Sequence, residues 1–128
     1  MWSPDGKQIA FATNRWGDLE IAVIQPDGTG LRRLTHSRGI DDFPAWSPDG
    51  RHIAFMSHRD GNFEIYVMLA DGTGQANITR HPEIDNFPAW TPDGKLSFVS
   101  NRDRKFDIYL LPDWEAAYRQ SAAPPTRK

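Results

Sequence analysis

Three arginines, Arg15, Arg59 and Arg102, stand at corresponding places along this 128-residue chain, and Asp41, which Asp42 follows, returns in the same rhythm as Asp85. Guanidinium groups and carboxylates spaced in this way support two kinds of chemistry. One is a polar ring that holds a cation or an acidic group of a partner. The other is Arg–Asp pairing between neighbouring loops, which fixes loop conformation because a long arginine reaches the next carboxylate. Trp16 stands where the other two copies have Asp60 and Asp103. An unshared aromatic in a loop is either a contact residue or a cover for an apolar edge. Arg15, Trp16, Asp41, Asp42, Arg59, Asp85 and Arg102 are therefore the candidate binding set.

Other chemistries lack their residues. The chain has no cysteine, which removes disulfides, thiolate metal sites and cysteine nucleophiles. His36, His52, His58 and His81 occupy no equivalent positions and form no His-x-x-x-His pair, so no zinc site is expected. Asp41 and Asp42 are adjacent but lack calcium-loop spacing. No Gly-x-Ser-x-Gly elbow supports a hydrolase nucleophile. Asp27-Gly28-Thr29-Gly30 belongs to a hairpin rather than to a phosphate-binding helix start. The expectation is a chain with no catalytic residue, no metal and no cofactor. A net charge of −2 offers no basic field to nucleic acid. The longest apolar run, Ile65 to Ala70, is strand-sized and too short to span a membrane. Met1 to Gly6 carries neither the basic nor the apolar region of a signal peptide.

The elements that must position the candidate residues come from a repeat. Trp2-Ser3-Pro4-Asp5-Gly6 returns as Trp46-Ser47-Pro48-Asp49-Gly50 and as Trp90-Thr91-Pro92-Asp93-Gly94, 44 residues apart each time. Ile9-Ala10-Phe11, Glu20-Ile21 and Asp27-Gly28-Thr29-Gly30 return as Ile53-Ala54-Phe55, Glu64-Ile65 and Asp71-Gly72-Thr73-Gly74. Each repeat holds four runs fit for strands, in the second Phe43–Ser47, His52–Ser57, Phe63–Leu69 and Gln75–Thr79. Proline and glycine turns separate the first strand from the second, and Asp-Gly separates the third from the fourth. Four antiparallel strands in a unit of about 40–45 residues are the mark of a propeller blade. A blade alone leaves both faces open, so blades stack around an axis. Trp46 and Trp90 are expected to pack between blades. In such a meander alternate connections share a rim, which places the second-to-third-strand loops and the links between repeats together, away from the turns.

Trp-Ser-Pro-Asp-Gly, Ile-Ala-Phe, Arg-x-Gly-x-x-Glu-Ile, Asp-Gly-Thr-Gly and a closing Thr, from Trp2 to about Leu111, resemble the TolB-like propeller repeat. That family is related in architecture to WD-repeat proteins but lacks their Trp-Asp dipeptide. The resemblance implies a β-propeller, most often six-bladed, and a periplasmic or extracellular setting. It points to a non-catalytic protein-interaction scaffold, or part of one, whose rim loops meet a protein partner. The alternative is a piece of the gating propeller of a prolyl-oligopeptidase-like serine peptidase, or of a propeller polysaccharide lyase.

The strand tally is three, four and three, about two and a half blades, so the expected fold is an all-β partial propeller over residues 1–112. A closed ring takes at least about four blades. The chain is thus part of a longer propeller, or associates with other copies, or stands as an open wedge with unpaired edges. Residues 113–128 differ in kind. Asp113 is placed to cap a short helix over Trp114–Gln120, with Glu115 and Arg119 an i,i+4 pair and Trp114 and Tyr118 on one face. Ser121 to Lys128 reads as a disordered end.

Overall fold

Each Ser/Thr-Pro-Asp-Gly segment closes on itself. Gly6, Gly50 and Gly94 donate their amides to the carbonyls of Ser3, Ser47 and Thr91, each at 2.9 Å. The glycines take φ of 71°, 74° and 86°, a left-handed backbone that a side chain would strain. The Ser3 and Ser47 hydroxyls donate to Asp5 and Asp49 at 2.7 Å, and Thr91 donates likewise to Asp93. These hydroxyl bonds, with backbone amides at Asp5 and Asp49, hold the turn aspartates below the usual carboxylate range. The turns therefore form from residues inside them.

The computed structural model describes residues 1–122. Its strands run β1 (Ile9–Thr13), β2 (Glu20–Ile24), β3 (Arg32–Arg33), β4 (Asp41–Trp46), β5 (His52–Ser57), β6 (Glu64–Leu69), β7 (Ala76–Asn77), β8 (Asp85–Trp90), β9 (Leu96–Ser100) and β10 (Asp107–Leu111). They form three antiparallel sheets, β1-β2-β3, β4-β5-β6-β7 and β8-β9-β10, which are the blades of a partial propeller. The first blade keeps only a Trp2–Ile9 bridge in place of an innermost strand.

Three strands of the second blade differ in extent from expectation, the third only by starting at Glu64 rather than Phe63. The outer strand of the second blade covers only Ala76–Asn77, not Gln75–Thr79. Thr79 instead accepts the Ile65 amide on its hydroxyl (3.0 Å) and donates to Glu64 (2.6 Å), so a side chain replaces the ladder. The innermost strand starts at Asp41 rather than Phe43, because Asp41 and Asp42 already pair with Ser57 and Met56.

The alternation on β5 and β6 does not mark one wet face. Ile53 and Phe55 pack against Ile21 and Val23 of the first blade, whereas Ile65 and Val67 pack against Leu96 and Phe98 of the third. The middle blade is covered on both sides, so its second and third strands are buried throughout except at their ends. Trp46 is buried in the first of these clusters and donates its indole N–H to the Met1 carbonyl (3.1 Å). Trp90 repeats that bond to the Ala45 carbonyl of the second blade (2.9 Å). Gly72, at φ 90°, lies so close to the first blade that a Cβ there would stand 2.9 Å from the Leu34 carbonyl oxygen.

After Leu111 the chain leaves the propeller rhythm and forms α1 (Trp114–Ala122). The helix includes Ser121 and Ala122, in place of the start of the disordered end expected from Ser121 to Lys128; the rest of that end lies outside the described residues. Trp114 is buried, donates to the Gly94 carbonyl (2.8 Å) and meets Trp90 edge-on at 4.9 Å. Tyr118 reaches back to the second blade and donates to the Gly74 carbonyl (2.8 Å). Glu115 and Arg119 stand 3.9 Å apart on the exposed side.

Candidate functional site

The adjacent acids Asp41 and Asp42 have opposite fates. Asp41 opens β4, is fully buried, and accepts from Ser57 (2.5 Å), Ser37 (2.6 Å) and Arg59 (3.1 Å). Asp42 is turned the other way by strand alternation and accepts the Phe43 amide (2.8 Å). The third blade repeats the arrangement. Asp85 is fully buried and takes two bonds from Arg102, each 3.2 Å, while Arg102 also donates to Ser100 (3.0 Å). Asp41 and Asp85, expected on rim loops, are thus interior anchors at the base of those loops. Their buried carboxylates pin the arginines, which explains why Arg and Asp recur together.

Both pinned arginines also lie over aromatic faces. Arg59 sits 4.5 Å from the Tyr66 ring centre and Arg102 4.9 Å from that of Tyr109. Tyr66 in turn donates to Asp60, and Tyr109 to Asp103. In the second and third blades the loop between second and third strands is therefore tied down by its own arginine, tyrosine and aspartate. Among the described residues Arg15 has no such acid. It lies 5.7 Å from the Trp16 ring centre, and Arg33 lies 5.1 Å from it, so Trp16 has two guanidinium groups at its ring while 38% exposed.

A buried glutamate in each of the first two blades, Glu20 and Glu64, was not among the sequence candidates. Glu20 accepts from Thr35 (2.6 Å) and Arg33 (3.1 Å); Glu64 accepts from Thr79 (2.6 Å) and Asn62 (3.1 Å). The recurrence of Glu20 as Glu64, and of Thr35 as Thr79, was the signal that marks them. Burial pushes both carboxyls above the ordinary glutamate range, and the nearby carboxylates Asp41 and Asp85 add to it. Both glutamates hold protons more tightly folded than unfolded. From about pH 4.3 upward to their raised values the native state binds more protons, and stability falls as pH rises. Glu20→Gln lacks its share of that slope. The stability advantage of the wild type over this variant is expected to shrink with rising pH in denaturant titrations across that window, and a constant difference contradicts the assignment.

Phe43 and Phe87 were also missed. A bulge sets two residues, Phe43 and Pro44, between the paired positions Asp42 and Ala45, and the same irregularity recurs between Asn86 and Ala89. Pro is tolerated there because β4 is an edge strand. Phe43 and Phe87 take φ of 54° and 50°, positive values that bulky residues rarely adopt. A bulge re-aims a side chain. Here it turns both rings outward on the inner edge, 41% and 51% exposed, with centroids 4.9 Å apart across the blades. Ile40 and Ile84, in the links just before Asp41 and Asp85, are exposed as well.

The loops are stitched to one another at this rim. Asp18 accepts the Gly39 amide (3.3 Å), Asn62 donates to the His81 carbonyl (2.8 Å), and Asn101 accepts the Ile84 amide (3.0 Å). Among the described residues no group of three His, Asp or Glu gathers to hold a metal ion. The arrangement can present exposed aromatic and aliphatic side chains from a backbone held by buried carboxylates, which is binding chemistry.

A family model described as the TolB beta propeller domain matches residues 1–108. The Tol-Pal system protein TolB of Syntrophus aciditrophicus (strain SB) is 46% identical over 33 residues, 26% of this chain and 7% of that protein. A structure of TolB from Agrobacterium tumefaciens superposes with TM-score 0.78 and 35% identity, over 88% of this chain and 44% of that one. TolB from Acinetobacter baumannii gives 0.80 and 29%, over 88% and 28%. The chain therefore spans less than half the length of each of these relatives. The tricorn protease and an oligogalacturonate lyase in complex with manganese share the fold at 22% and 17% identity, with TM-scores of 0.66 and 0.59.

Proposed function

The chain belongs to the TolB β-propeller family, and from that premise we propose that it is a non-catalytic protein-interaction scaffold, or part of one. Its loop rim and inner edge receive a protein partner. The observation that carries this reading is the recurrent exposed set Ile40, Phe43, Ile84 and Phe87, two of them held at positive φ by the bulges. Backbone strain of that kind costs about 1–3 kcal/mol per residue and persists only where the surroundings enforce it. Two buried carboxylates, Asp41 and Asp85, supply that enforcement at the strand starts. Trp16, Arg15 and Asp42 extend the surface along the rim. Aromatic and arginine side chains are the usual anchors of protein interfaces.

The test is a photoreactive amino acid placed in turn at Phe43, Trp16 and, on the opposite rim, Lys7, with irradiation in the native host. The expected result is a discrete protein adduct from the Phe43 and Trp16 positions and none from Lys7. Equal labelling at all three positions overturns the reading.

The second reading, a piece of a peptidase gating propeller or of a polysaccharide lyase, draws on fold likeness alone. It differs in outcome: purified chain is expected to show no hydrolase or lyase turnover of peptides or oligogalacturonates. Activity that disappears on replacing one residue of this chain decides for the second reading.

A further inference from the structure

Among the described residues one buried side-chain nitrogen lacks a hydrogen-bond partner, Nδ1 of His52. His52 opens β5, and its amide and carbonyl are both bonded to Ser47 of the turn before it. Two side chains of α1 enclose its ring. Trp114 meets it edge-on at 5.0 Å and Tyr118 at 5.3 Å. The same turn position holds Gln8 in the first blade and Lys95 in the third, where each amide donates to the turn hydroxyl. The imidazole is thus confined to the place that the helix covers.

The two aromatic contacts of α1 differ in strength. Trp114 is buried, bonded to the Gly94 carbonyl and packed on Trp90, so it fixes the start of the helix in the second junction. Tyr118, one turn later, is half-buried, and its bond to the Gly74 carbonyl is open to solvent. That hydroxyl has room because residue 74 is glycine; a Cβ there would stand 2.6 Å from the tyrosine oxygen. The helix also lies against β7, the outermost strand of the second blade. A protonated imidazole carries a hydrogen on both nitrogens. The cation must therefore place a charged N–H at Nδ1, where no acceptor stands. Burial accordingly holds His52 below the ordinary histidine range. Asp49 on its turn and Glu115 on α1 favour the cation, Arg51 opposes it, and burial outweighs the two acids. Tyr118 is pushed up by burial and by Asp71 of the β6–β7 turn, and stays neutral as His52 titrates.

We propose that α1 is an acid-released latch: when His52 takes a proton, the Tyr118 end of the helix lifts away while Trp114 remains as the pivot. Lifting gives the imidazolium access to water and gives up one solvent-exposed hydrogen bond and one ring contact. Freeing Trp114 instead would open a buried cluster, which costs far more. The docked helix binds the proton less well than the lifted one. Docking is therefore complete above the ordinary histidine value, about 6.5, and is lost as pH falls below it. Release uncovers His52 and the side of β7 that the helix covers. The latch sits on the turn rim, so it stands independently of the partner surface proposed on the loop rim.

The absence of cysteine allows a single nitroxide label at Gln120→Cys, an exposed position near the moving end. Its electron paramagnetic resonance spectrum is expected to be immobile at about pH 7.5 and mainly mobile at about pH 4.5. Tyr118→Ala supplies the lifted reference and is expected to be mobile at both. Gly74→Ala drives the hydroxyl off its acceptor and is expected to release the label at neutral pH. His52→Leu carries no titrating proton and is expected to keep the label immobile throughout. His52→Gln, which does not titrate either, repeats the measurement with a polar side chain at the turn. A label that stays immobile at about pH 4.5 in the wild-type background overturns the proposal. So does acid mobility that persists in both His52 variants, the outcome that general acid unfolding produces.

Discussion

Trp46→Ala is expected to remove about 3–5 kcal/mol of folding free energy, the range for truncating a large buried aromatic. The side chain is 6% exposed and lies in the cluster that joins the first two blades. Truncation leaves a cavity among Ile21, Val23 and Ile53 and frees the Met1 carbonyl from its indole donor. Propeller blades are held by their neighbours, so a fault at one junction is not confined to one sheet. Urea titration at low protein concentration measures it. A loss below about 1 kcal/mol contradicts the packing role, since a surface substitution costs about 0.5 kcal/mol or less.

Asp41→Ala is expected to cost a similar amount, about 3–5 kcal/mol, because removing one partner of a buried ion pair leaves the other uncompensated. Three donors lose their acceptor at once: Ser57, Ser37 and the Arg59 guanidinium. Arg59 keeps its bonds to Ser57 and Gln75, which tempers the loss. The neighbouring Asp42→Ala serves as the contrast and is expected to change stability by less than about 0.5 kcal/mol. Equal effects at the two positions contradict the division between anchor and surface acid. The same pair separates stability from binding. Loss of partner adducts in Asp42→Ala with an unchanged unfolding midpoint assigns the surface role to that residue.

These contrasts locate the boundary between local and non-local information. The three blades, their turns and the tally of three, four and three strands are legible in the residue order. The forces that set them act within a few residues: proline fixes φ, glycine admits positive φ, and β-branched and aromatic residues at alternate positions favour a pleated strand. The repeat interval then carries the pattern from one blade to the next. Trp46 and Trp90 were readable as packing residues on the same ground, because a large aromatic recurring at a strand end has one recurring task.

The candidate site was legible only in part. Arg59 and Asp41, and Arg102 and Asp85, were visible as recurring charges, and pairing between them was one of the two readings open. Residue order did not show that Asp41 is interior while Asp42 is not, nor that Glu20 and Glu64 are buried beside them. Burial depends on what covers a residue, and here the cover is the next blade or a threonine 15 residues away. The bulge at Phe43 is likewise a property of the pairing of β4 with β5, not of the segment alone.

The chain order by itself therefore determined the blade, its turns, its copy number and the family likeness, because backbone sterics and side-chain alternation operate locally. Only the tertiary structure decided which carboxylates anchor the rim and that both faces of the middle blade are dry. The physical reason is that equivalent strands acquire different environments from their neighbours, and a neighbour is fixed by stacking around the axis rather than by the strand's own residues.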